Sequence, residues 1–88
     1  MKPTMTDAGN TLVPAYLAIL QRGLSLYREP SAVTDSGMIW VAESTDCRFV
    51  AEDFVMLLGL VAVRETRGPE WQASDEEIER FIAEFGVP

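Results

Sequence analysis

The sequence contains no histidine. Ser–His–Asp and Cys–His catalysis are thereby excluded, together with most zinc sites. It contains one cysteine, Cys47, which cannot close an internal disulfide, so the fold does not depend on an oxidising compartment. With no imidazole to activate it and an apolar stretch around it, Cys47 reads as a small core residue. The six glycines are scattered and build no phosphate-cradling loop. Bases are few, seven against fourteen acids. Phosphate contact needs clustered Lys and Arg, so direct nucleic-acid binding is not expected. No apolar run approaches the roughly 20 residues that a membrane-spanning helix needs. A signal peptide is not expected either, since Lys2 is followed by Asp7 and the next apolar stretch is broken by Gln21 and Arg22. The expected compartment is the cytoplasm, with no membrane contact and no cofactor.

What is present is an ordinary globular mixture, 48% hydrophobic and 24% charged over 88 residues. A chain of this size forms one core and buries roughly 60–65% of its unfolded surface. Residues 1–9 (MKPTMTDAG) are polar and read as a flexible tail, leaving 10–88 as a single domain. A helix is predicted from about Leu12 to Arg22. Asn10 or Thr11 would cap it, Pro14 suits its first turn, and Val13, Leu17, Leu20 and Leu24 lie along one face. Leu24 to Arg28 reads as a short strand, and residues 28–37 as a loop between Pro30 and Gly37. Met38–Glu43 and Cys47–Ala51 are rich in Trp, Phe, Val and Ile and form the best hairpin candidate. An even-numbered loop pairs Ala42 with Cys47, Trp40 with Phe49 and Met38 with Ala51. These six make the better core face; a three-residue loop would swap the faces.

Residues 54–63, FVMLLGLVAV, are ten apolar residues in succession. Acids at Glu52 and Asp53, bases at Arg64 and Arg67, and the stop Gly68-Pro69 make residues 53–67 a helix. Phe54, Leu57, Leu58 and Val61 share one face; Val55, Met56, Gly59, Leu60 and Val63 share the other. A helix apolar all round must be covered all round. The first and last helices can supply that cover, or a second copy can, through Val55, Gly59 and Val63. Gly59 suggests close backbone approach by a neighbouring element, within the chain or across an interface. Ser74-Asp75-Glu76-Glu77 has the form of a capping box, and Ile78, Phe81, Ile82 and Phe85 form an apolar stripe ending at Gly86. The predicted fold is α+β, a small three-stranded antiparallel sheet with helices packed on it, in the order α-β-β-β-α-α.

Charge points to function. From Glu70 onward six acids meet one base, Arg80, and this segment carries five of the seven net negative charges. Helical acids make a poor calcium site. As exposed groups they also lack the pocket that acid–base catalysis requires, so an enzyme is not expected. Glu70, Asp75, Glu76, Glu79 and Glu84 are the candidate contacts for a protein partner with a basic surface. Trp71 either packs over the hairpin or serves as an aromatic anchor. The role expected is that of a small acidic binding module, of which an inhibitor of a toxin or nucleic-acid-processing protein is one form. Blockers of CRISPR complexes and immunity proteins are the class-level analogies. The alternative is a homodimeric structural or regulatory subunit joined through the helix at 53–67.

Overall fold

A computed structural model describes residues 2–88. Met1, the first residue of the expected tail, lies outside them. The order is α1 (Leu12–Gln21), β1 (Ser25–Pro30), β2 (Met38–Glu43), β3 (Arg48–Ala51), α2 (Phe54–Arg67) and α3 (Asp75–Phe85), an α+β fold with one antiparallel sheet in the order β1-β2-β3.

The chain enters α1 through a short 3-10 turn, Gly9–Thr11. The Thr11 hydroxyl closes this turn by donating to the Ala8 carbonyl at 2.6 Å, rather than capping α1. α1 turns a different face inward from the one predicted. Ala15 and Ile19 are buried, whereas Val13, Leu17 and Leu20 are exposed. The small side chain of Ala15 suits a close helix crossing, and Ile19 fills the core beside Leu57 and Val61 of α2. Gly23, at φ +80, then turns the chain into β1.

The hairpin keeps the predicted faces but slips by two residues. Trp40 faces Ala51, Ala42 faces Phe49 and Glu43 faces Arg48. The turn is centred on Thr45 and Asp46. It is closed by the Ser44 N–H donating to the Cys47 carbonyl at 2.9 Å and by the Ser44 hydroxyl donating to Asp46 Oδ1 at 2.8 Å. Cys47 therefore belongs to the turn, half-buried against the core, and β3 starts at Arg48. An even slip leaves every side chain on its original side. Trp40, Ala42, Phe49 and Ala51 thus meet Ile19, Leu57 and Val61 as expected. Phe54 sits 4.5 Å from the Trp40 ring and 5.4 Å from Tyr16, joining sheet, α1 and α2.

Val41 points to the other face, yet it is fully buried. Its cover is polar. Arg48 on β3 donates to Glu29 on β1, and the Tyr27 hydroxyl donates to Glu43. By register, the bond from Arg48 to Glu29 passes over β2 at Val41, so the aliphatic stem of Arg48 shields it. The Glu43 carboxylate holds the Tyr27 phenol above its ordinary pKa.

α2 is capped by Asp53, whose Oδ1 accepts from the Met56 N–H at 2.8 Å. Leu57 and Val61 are buried, as predicted. The close approach expected at Gly59 does not come from within the chain: among the described residues no neighbouring atom lies within 4 Å of where its side chain would begin. Gly59→Ala should therefore stabilise the chain by about 0.5–1 kcal/mol through helix propensity alone. Urea unfolding followed by Trp40 fluorescence would show it; a lower midpoint would mean that the open space is filled in solution.

Candidate acidic helix and its apolar surroundings

α3 forms as its sequence dictates. The Ser74 hydroxyl accepts from the Glu77 N–H at 3.2 Å, and Glu77 Oε1 accepts from the Ser74 N–H at 2.9 Å. This is the reciprocal capping box. Asp75 and Glu76 in the first turn favour the helix dipole. α3 was expected to help cover α2. Among the described residues it buries nothing, and Ile78, Phe81, Ile82 and Phe85 all remain exposed.

Arg67, at the end of α2, fixes where α3 starts. Its Nε donates to the Trp71 carbonyl at 2.8 Å, and its Nη2 donates to Glu77 Oε1 at 3.0 Å. Sequence reading placed Arg67 only as a favourable base at a helix end. Its reach across the connector needed coordinates. The Ser74 N–H and the Arg67 guanidinium both hold the Glu77 carboxyl below the ordinary carboxylate range. A carboxyl whose pKa falls on folding stabilises the folded form above its unfolded pKa. That contribution disappears as pH drops through the lowered value. In an NMR titration Glu77 should have a midpoint below an ordinary Glu. Arg67→Gln should raise that midpoint, and an unmoved midpoint would contradict the assigned contact; Ser74→Ala, which keeps the backbone N–H but removes the hydroxyl cap, should cost about 1 kcal/mol of α3 stability.

The five predicted contact acids behave differently from Glu77. Glu70 lies in the connector; Asp75, Glu76, Glu79 and Glu84 lie on α3. Among the described residues none of the five forms an ion pair. The bases of the body are engaged elsewhere: Arg22 with Glu65, Arg48 with Glu29, Arg64 with Asp46 and Arg67 with Glu77. Arg28 lies over the Trp40 ring at 5.4 Å. Among the described residues the acids of α3 other than Glu77 thus form no ion pair.

The apolar candidates divide. Val55 opens toward α1 and the N-terminal segment, beside Ala18 and Leu58, whereas Val63 opens toward β3. All three candidates, Val55, Gly59 and Val63, are exposed along one side of α2. Trp71 is 47% exposed and stands beside the hairpin, lining a groove with Phe49, Val50, Leu60 and Val63. Leu60 and Arg64 complete this groove; the sequence placed Leu60 on the second face of α2 and Arg64 as a base at its end, neither as a site residue.

No group of metal-ligating side chains occurs among the described residues, and no helix there is long and apolar enough to cross a membrane. No protein family, curated protein or solved structure matches the chain, so its function is argued from these surfaces alone.

Proposed function

We propose that this chain is a protein-binding module without catalytic activity, which presents α3 to a basic surface on a protein partner. The observation that carries this reading is the state of the acids: among the described residues Glu70, Asp75, Glu76, Glu79 and Glu84 form no ion pair, while Arg48, Arg64 and Arg67 each do. A carboxylate cluster of this kind accelerates encounter with a positive surface and discriminates against negative ones. The inhibitor role follows, in which the module occupies a basic groove or active site of a nucleic-acid-processing protein or toxin, of the anti-defence or immunity type. Trp71, next to Glu70, would anchor the edge of that contact.

A pull-down from the native host at low and high salt tests this. Proteins with basic surfaces should be retained at low salt and released at high salt, because contacts between exposed charges are screened. Retention unaffected by salt would defeat the reading.

A further inference from the structure

β3 is an edge strand, and the alternation of antiparallel hydrogen bonds fixes which of its backbone groups are used. The Ser44 N–H donates to the Cys47 carbonyl, so Ser44 and Cys47 are a hydrogen-bonded pair. By the register, Ala42 with Phe49 and Trp40 with Ala51 are then hydrogen-bonded pairs too. Arg48 and Val50, the residues between, turn their N–H and C=O groups away from β2. The other side of the sheet agrees. The Ser31 N–H donates to the Gly37 carbonyl, which makes Ile39, Val41 and Glu43 the residues of β2 that bond to β1. Among the described residues, no bond from a turn, loop or side chain reaches the Val50 backbone or the Arg48 N–H, and the Arg48 carbonyl meets only the Cys47 thiol, at 4.0 Å.

These free groups lie in a groove. Cys47, Arg48, Phe49 and Val50 all line a space of about 280 Å³, with Leu60 and Val63 of α2 and Trp71 across from them. Consecutive strand residues point to opposite faces. A space lined by four in succession therefore runs along the edge of β3 and not over one face of it. Trp71 is fixed there by its carbonyl, which accepts from Arg67 Nε at 2.8 Å. Arg48 and Val50 are two residues apart, so the free donors and acceptors repeat at about 6.8 Å. An extended backbone presents complementary groups at that repeat, which a helix or a small apolar molecule does not. Its alternate side chains would point between Phe49, Leu60, Val63 and Trp71.

The two edges of the sheet differ. On β1 the free groups belong to Leu26 and Arg28 by the same alternation, but the strand ends in Pro30, which has no N–H, and carries Arg28 and Glu29. Proline and charge are common guards of an edge. On β3 the one charged side chain, Arg48, is drawn back across β2 to Glu29, and the edge is left unguarded.

We propose that the edge of β3 is a docking site for an extended peptide segment of a partner protein, which adds a fourth strand to the sheet and seats an apolar side chain against Phe49, Leu60, Val63 and Trp71. The proposal does not rest on the acids of α3 binding a basic surface.

A displayed library of random peptides about eight residues long, panned against the full chain in high salt, supplies the probe. Selected peptides should carry apolar residues at alternate positions. On binding, the amides of Arg48 and Val50 should exchange at least about tenfold more slowly, whereas those of Phe49 and Ala51, already bonded to β2, should change little. N-methylation of the peptide, one amide at a time, should weaken binding about tenfold at every second position and little between them. Val50→Pro removes an N–H that the sheet does not use and should abolish binding, while Val50→Ala, which keeps it, should retain it. The peptide-side pattern holds whether or not V50P folds. Failure to enrich any peptide, N-methyl effects without alternation, or unchanged exchange at Arg48 and Val50 would overturn the proposal. So would a free protein whose Val50 amide is already protected by pairing of two copies, seen as a dimer in light scattering. Enrichment only of basic peptides that salt releases would also end it, and would leave the binding-module reading standing.

Discussion

Replacing Glu76, Glu79 and Glu84 by lysine is expected to weaken partner binding roughly 10- to 100-fold, since each position loses an attraction and gains a repulsion. The net charge would move from −7 to about −1. None of the three side chains forms an ion pair within the described residues, so the sheet, α1 and α2 should keep their structure. Lys at position 76 does oppose the α3 dipole. The corresponding Gln variants separate charge from helix loss: affinity, measured by calorimetry with the purified partner, should fall in the order wild type, Gln, Lys. Equal affinities for all three would show that the acids are bystanders.

The second large effect is on folding. Leu57→Ala should cost about 2–5 kcal/mol, the range for emptying a fully buried leucine site. Leu57 is completely buried and belongs to the cluster with Ile19, Ala42, Phe49 and Val61. A chain of 88 residues has only about 4–13 kcal/mol of stability at ordinary values per residue, so the variant loses a large share of it and its denaturant midpoint should fall steeply. Phe81→Ala, by contrast, removes a side chain that its own chain leaves 45% exposed. Denaturant unfolding followed at Trp40 would compare the two; equal losses would mean that α3 belongs to the core.

The difference between Leu57 and Phe81 also marks where the sequence ceased to be informative. Both lie on clean helical stripes that were legible in the sequence, as was the Ser74 cap, which accepts the expected Glu77 N–H; Asp53 was legible only as an acid at a helix start, and the structure makes it the cap. Periodicity states that a stripe must be covered; it does not state by what. α1 shows the same limit. Val13, Leu17 and Leu20 had the correct spacing, but Ala15 and Ile19 face the core, because small residues allow the closer crossing with α2. The hairpin faces were readable from alternation, whereas the two-residue slip depends on Ser44, whose N–H and hydroxyl organise the turn. Val41 was assigned outward. Its burial arises from Arg48 reaching across a strand to Glu29, a contact between residues that are not sequence neighbours. At the candidate site, the acids were visible as charge. That Glu77 is engaged internally while Glu79 and Glu84 are not required the position of Arg67.

The central claim is that α3 is a surface for other molecules and not part of its own chain's core. Amide hydrogen exchange, read with and without a bound partner, tests it most directly. The amides of residues 78–85 should exchange fast in the free protein and slowly with the partner bound, while those of Leu57 and Val61 stay equally protected in both. Protection of α3 that matches α2 in the free protein would contradict the account.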